Sequence, residues 1–402
     1  MLFVAAAFAA DLAIRHATVL PISGPPIPDG TVLIDKGKIV AIGGDIPPGT
    51  PEVDATGMWL MPGLIDMHSH MGVYSWPGGN GTSDGNEAVE PFTPRVRAAD
   101  SFDPEDPAIA RARAGGITTV QILPGSANLI GGQSAILKLR PVRTTAAMAL
   151  AGAPGGIKMA CGENPKRVYG GEDEHQIRIQ TRMGEMAALR AEFQRVVEYR
   201  AARAKNPTMA RDLDLDVLVD VLEGRIRVNL HCYRSMDIAD WYRVADEYHF
   251  KITTIHHALD TYKVRDLLAA HGTGIATWPD WWGFKLEAFD GIPEGPVLVN
   301  AAGVTVATHS DSASHVQRFY MEAAKLVRAG MSEADALATI TLNPAKLLGI
   351  DGSVGSIAVG KDADLALFDK PPLDGFTRVQ KTWIDGVLVY DRATEGNPNG
   401  RR

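Results

Sequence analysis

The sequence predicts an α/β protein: a (β/α)8 barrel of the TIM type carrying a small β-sandwich domain built from both chain ends. Across 61–350, apolar β-branched runs alternate with helical stretches, the pattern of parallel strands buried on both faces. The two ends, 11–60 and 351–402, share a different texture of short strands divided by Gly/Pro turns. The length of 402 residues accommodates one barrel of ~250 residues plus a smaller domain.

In chain order, Leu2–Ala10 is apolar, and Ala7-Phe8-Ala9 has the small-x-small form of a signal-peptidase site but no positive n-region before it. Residues 1–10 therefore read as a signal-peptide remnant or as a plain apolar leader, leaving exported and cytoplasmic locations both open. Leu12-Ala-Ile, Thr18-Val-Leu, Thr31-Val-Leu-Ile and Lys38-Ile-Val-Ala-Ile are strands punctuated by turns such as Gly24-Pro25-Pro26. Barrel strands are expected at Gly63–His68, Thr118–Leu123, Gly156–Cys161, Arg225–His231, Lys251–His257, Gly274–Trp278 and Val304–His309, with Ser134–Leu139 as the eighth. Thr181–Ala204 is a helix, with Met183, Met186, Leu189, Phe193, Val196 and Val197 at helical spacing and Arg and Glu on the other face. Ala363–Phe368 and Thr382–Tyr390 return to strand texture.

Composition narrows the function. Hydrophobic residues make up 45% and charged residues 22%, ordinary for a soluble globular enzyme. A net charge of -8 with no long basic block argues against nucleic acid as a partner, and no apolar run reaches the ~18 residues of a membrane span. Cys161 and Cys232 are too few for a disulfide scaffold or a cysteine zinc cluster, and read as buried inert thiols.

The sharpest feature is Met61-Pro-Gly-Leu-Ile-Asp-Met-His68-Ser-His70. Residues i and i+2 of a strand share a face, so His68 and His70 project together at the strand end where barrel active sites are built. His231, His257 and Asp311 likewise fall at or just past the ends of expected strands. Imidazoles and a carboxylate on one rim suit a borderline divalent metal such as Zn²⁺. Between Gly156 and Pro165 lie two further donors, Lys158 and Glu163, of opposite parity, so an unbroken strand points only one of them inward. His256 is expected on the face opposite His257. His309 shares the parity of Asp311 and reaches the pocket or serves as a barrel histidine. His16, His175, His249, His271 and His315 show no partner pattern.

These motifs resemble the amidohydrolase superfamily, nearest its imidazolonepropionase-like and N-acetylglucosamine-6-phosphate deacetylase-like branches. Pro62–His70 looks like the first-strand motif, His231 and His257 match the fifth- and sixth-strand histidines, and Asp311 matches the eighth-strand aspartate. Thr341-Leu-Asn-Pro-Ala345 and Gly355–Leu365 resemble the return into the β domain. The resemblance implies one or two divalent ions, zinc by preference, on His68, His70, His231, His257 and Asp311, with Glu163 preferred as bridge and a carboxylated Lys158 the alternative. It also implies Asp311 as general base, hydrolysis of a C–N bond in an amide, cyclic amide or dipeptide-like substrate, and homo-oligomers. Arg167 and Arg234 on rim loops are candidates to clamp a substrate carboxylate, with His309 as a further substrate contact, and Trp281-Trp282 and Tyr262-Lys263 are candidate wall residues. The competing readings are a deaminase on the same fold, disfavoured because no Glu lies close after His231, and a non-catalytic scaffold like the dihydropyrimidinase-related proteins, which typically lose the ligands kept here.

Overall fold

The computed structural model describes residues 9–171 and 179–395. The leader expected over 1–10 falls, but for its last two residues, outside the described residues, as does His175.

The N-terminal strands are β1 (Leu12–Val19), β2 (Ile27–Asp35), β3 (Lys38–Ile42), β4 (Glu52–Asp54) and β5 (Trp59–Pro62). The barrel strands are β6 (Leu64–Ser69), β7 (Ile117–Ile122), β8 (Ile130–Lys138), β9 (Gly155–Ala160), β10 (Ile226–Cys232), β11 (Ile252–His257), β12 (Gly274–Thr277) and β13 (Val306–Thr308). The chain returns through β14 (Leu365–Phe368), β15 (Val379–Ile384) and β16 (Val387–Asp391). The small domain is one sheet in the order β16-β15-β14-β5-β1-β2-β3, with β4 beside β1, so both chain ends share it through the β14–β5 pair. Its core is separate from the barrel's and includes Ile14, Val32, Ile34, Leu365, Leu367 and Trp383.

The second sheet runs β13-β12-β11-β10-β9-β8-β7-β6 and nearly closes on itself, with Ile65 N donating to Ile340 O beside the seam. All eight expected strands are present, but β8 is antiparallel to both neighbours. The cause is local: β7 and β8 are joined only by Leu123–Leu129, too short for the crossover a parallel pair needs. Gly63 marks the step from one domain to the other, where a Cβ would lie 2.2 Å from Thr118 Oγ1. The long helix spans Arg182–Lys205, capped by Thr181, whose hydroxyl accepts from Gly184 N. Met186, Leu189, Phe193 and Val196 are buried as their spacing requires, but Met183 in the first turn is exposed. Among the described residues, no helix is long and apolar enough to cross a membrane.

One expectation about the cysteines is corrected. Parallel pairing sets His231 beside Ala160, which brings the next residues, Cys161 and Cys232, together, and they form a disulfide rather than two inert thiols.

Candidate metal centre

The first strand supplies the pair its period demands. His68 and His70 face one point, their Nε2 atoms 3.2 Å apart. Asp311 arrives from the segment after β13, its Oδ1 lying 3.5 Å from His70 Nε2 and 3.9 Å from His68 Nε2. That segment is pinned by Asp66, a residue of the same motif, whose carboxylate accepts from Ser310 N at 3.1 Å and from its hydroxyl at 2.5 Å. Asp311 itself takes a left-handed backbone, φ 45°, and its N–H donates to His68 O.

Lys158 of β9 comes to the same place, its buried Nζ 3.4 Å from His68 Nε2 and 3.3 Å from Pro124 O. Glu163 does not. Gly162 turns the chain with φ 80°, and Glu163 begins the short helix Glu163–Tyr169, where its carboxylate pairs with Lys285 at 2.8 Å. A turned backbone, rather than strand parity, separates these two candidates.

His231 and His257 close the ring of imidazoles, centroids 4.4 Å apart. His257 also lies 4.7 Å from His68 and 5.1 Å from His309, and His309 stacks on His68 at 4.8 Å. Among the described residues, two groups have donor atoms within 4.8 Å of one another, as one ion requires: His68, His257 and His309; and His68, His70 and Asp311. His256 corrects the parity argument. It points inward, with its Nδ1 3.0 Å from His68 Nδ1, and His257 also turns inward because it and Ala258 adopt positive φ, 69° and 54°. Sequence reading missed His256 and its partner Asn229, although Asn229 shares the parity of His231.

The pocket is electrostatically taut. Burial, and next the Lys158 cation, hold His68 and His231 well below the ordinary imidazole range, and bring His70 to about 3. Burial pushes Asp311 up to about 7 against the pull of Lys158, and pushes Lys158 down to about 7 against the pull of Asp311. Neutral imidazoles keep the lone pairs that a cation needs.

Around the histidines stands an aromatic wall. Tyr233 stacks on His257 at 5.1 Å, Trp278 lies 4.5 Å from both His257 and His309, and Trp281 stacks on Trp278 at 4.6 Å. Phe284, exposed at the mouth, is 6.1 Å from Tyr233, Trp278 and Trp281. Trp282 turns outward, exposed, and packs on Phe289. Tyr262 lies outside this wall, and Lys263 pairs with Asp260 and Asp290. Arg167 is exposed in the last turn of its helix, apart from the cluster. Arg234 is half-buried before the helix Ser235–Tyr248, facing Asp290. A cation the sequence did not single out, Lys285, sits 4.0 Å over the Tyr233 ring and donates to Asn164 Oδ1 at 3.4 Å, and Asn164 Nδ2 lies 3.3 Å from His231 Nε2.

The donors fit a divalent metal. Among the described residues, Nδ1 of His257 is buried with no protein partner, a costly state that an ion on its lone pair would relieve. Such a site at the mouth of such a barrel defines a metal-dependent hydrolase. Known proteins agree. An amidohydrolase from Thermotoga maritima MSB8 superposes with a TM-score of 0.89 at 38% identity, covering 95% of this chain and 100% of that one. The model of the amidohydrolase family matches residues 290–390. The amidohydrolase tasK of Hapsidospora irregularis is 34% identical over 90% of this chain, which spans 40% of that protein's length. The imidazolonepropionase of Cupriavidus taiwanensis is 26% identical, with 89% of each covered. The chain belongs to the amidohydrolase superfamily, metal-dependent hydrolases of carbon–nitrogen bonds.

Proposed function

We propose that this protein hydrolyses the C–N bond of a small amide, cyclic amide or dipeptide-like substrate at a pair of zinc ions. His68, His70, His231, His257 and Asp311 would hold the ions, and Lys158 would serve as the shared ligand in the form of a carbamate, made when its neutral Nζ bonds to the carbon of CO₂ and releases a proton. Glu163, paired to Lys285, is left out of the ligand set, and His309 stays beside it as a substrate contact. The observation that carries this reading is the meeting of His68 Nε2 with Lys158 Nζ, His70 Nε2 and Asp311 Oδ1, with His257 packed on His68 and His231 on His257.

A bound divalent ion supplies an acidified water and polarises the scissile carbonyl. The chain does the rest. Asp311, at the partly exposed edge of the cluster, takes the proton from the attacking water on the carboxylate oxygen that faces away from His68 and His70 and returns it to the leaving nitrogen, so that water adds across the C–N bond and the carboxylate is regenerated. Trp278, Trp281 and Tyr233 exclude solvent on one side, and their continuation to Phe284 favours an apolar or aromatic group on one side of the scissile bond. Lys285 and Arg234 are the cations placed for a substrate carboxylate, and the likeness to an imidazolonepropionase supports including ring amides among the substrates tested.

Metal analysis of purified protein tests the reading. The expected result is two ions per chain in the wild type, fewer in Lys158→Met, and an unchanged content in Glu163→Gln. A wild type with no bound metal after growth in zinc overturns the proposal, and loss of metal only in Glu163→Gln moves the bridge to that residue.

A further inference from the structure

We infer that His256 and Asn229 are positioning residues that hold His68 in its metal-binding tautomer. The inference rests on His68 being a ligand, and it follows from a chain of hydrogen bonds buried in the barrel interior. Asn229 Nδ2 donates to Arg227 O at 3.3 Å, which turns its Oδ1 toward His256 Nε2, 3.0 Å away. A carbonyl oxygen only accepts, so Nε2 of His256 carries the hydrogen. Neutral imidazole has one N–H, so Nδ1 of His256 is a bare acceptor. That atom lies 3.0 Å from Nδ1 of His68, and one hydrogen must sit between them. It therefore belongs to His68, whose Nε2 is left bare and aimed at His70 Nε2 and Asp311 Oδ1.

The neighbouring ligand reaches the same state by a shorter route. His70 Nδ1 donates to Leu123 O at 2.8 Å, which likewise frees its Nε2. His68 has no backbone carbonyl in that role, so the relay through two side chains takes its place. The sheet explains the placement: Asn229 and Thr254 are paired across β10 and β11, as are His231 and His256, so both relay members lie on inward-pointing positions. All of His68, His256 and Asn229 are at most 2% exposed, so water does not compete for these bonds. A partner that fixes the orientation and tautomer of a ligating imidazole is worth about 10–100-fold in metal affinity.

The test compares zinc affinity, by competition with a chelator, in wild type, His256→Phe, His256→Gln and Asn229→Leu, alongside ¹⁵N spectra of the histidines in the zinc-free protein. Zinc affinity in His256→Phe and Asn229→Leu is expected to fall about 10–100-fold. His256→Gln is expected to recover most of it, since its amide oxygen accepts the same hydrogen, and the wild-type spectrum should show His68 protonated on Nδ1. Thermal melting of the zinc-free variants controls for folding. Wild-type affinity in folded His256→Phe, or a His68 protonated on Nε2, overturns the inference. So does loss of a whole metal equivalent in His256→Gln, which would make His256 a ligand. A wild type that binds no zinc instead overturns the functional reading on which this one rests.

Discussion

Asp311 sits where three demands meet. In the proposed reaction it has to contact the ion position shared with His68 and His70, face the substrate, and be ionised when the proton moves. Burial raises it to about 7 even against the pull of Lys158, so a bound ion has to draw it back into the charged form. Its position is set by Asp66, which grips Ser310 immediately before it. Asp311→Asn keeps an oxygen for the ion but cannot accept a proton. The variant is expected to retain metal while kcat falls by about 10²–10⁴-fold, the usual share of a general base, and near wild-type turnover with metal bound would remove the residue from that role. His68 and His70 were readable because strand parity is a property of the backbone. The separation of Lys158 from Glu163 was not, because it turns on a positive φ at Gly162, and the inward turn of His257 beside an already inward His256 depends on left-handed residues that no side-chain pattern announces.

The elements around the site show the same division. Strand positions were legible because burial on both faces leaves continuous apolar runs, whereas the direction of β8 depends on the length of one connection and the Cys161–Cys232 bond on which strands are neighbours. Behind the metal ligands, the helix Arg182–Lys205 brings a charged cluster that its amphipathic pattern did not reveal. Arg182 pairs with Asp237 at 2.6 Å and Glu287 at 2.5 Å, while Glu185 accepts from Gly162 N at 3.2 Å and leaves its other oxygen unpartnered. Burial pushes Glu185 up to about 7 against that backbone hydrogen bond. The folded state therefore binds more protons than the unfolded chain between the ordinary glutamate value and 7. Glu185 costs least at the acid end of that window, and stability is lost as pH rises through it. Glu185→Gln keeps an acceptor for Gly162 and removes the charge. Relative to wild type it should gain on the order of 2 kcal/mol between pH 5 and pH 8, read as the difference in urea unfolding free energies at the two pH values. An equal difference at both would mean that the carboxyl ionises as freely in the fold as in the unfolded chain.

The barrel and the small sheet share apolar packing through Phe368, Val379 and Tyr390, and a buried lysine adds a polar clamp beside it. Lys138, at the end of β8, is 0% exposed and meets three carboxylates from the C-terminal section: Asp362 at 2.6 Å, Asp364 at 3.0 Å and Asp385 at 2.5 Å. Arg140 shares Asp385 at 2.7 Å, so two cations of the barrel face three anions across the join, and Lys38 of β3 pairs with Asp362 from the small sheet's own side. Since Asp364 follows directly on the turn into β14, and Asp385 lies between β15 and β16, the clamp fixes where the returning chain docks on the barrel. Its weight comes from desolvation more than attraction. Asp364 is fully buried, and burial already raises it to about 6 against the pull of Lys138. Removing the lysine leaves that charge without its partner, a defect that typically costs about 3–5 kcal/mol. Lys138→Met is therefore expected to lower the urea midpoint sharply, and Lys138→Met with Asp364→Asn to recover part of the loss by removing the stranded charge. Metal content should stay at the wild-type value in the folded single variant, because no proposed ligand lies on β8 and the clamp acts on domain docking rather than on the site. A midpoint within experimental error of wild type would show that Arg140, Lys38 and solvent neutralise the cluster unaided. A recovered midpoint in the double variant is the outcome that separates an unpaired buried charge from simple loss of packing around the lysine stem.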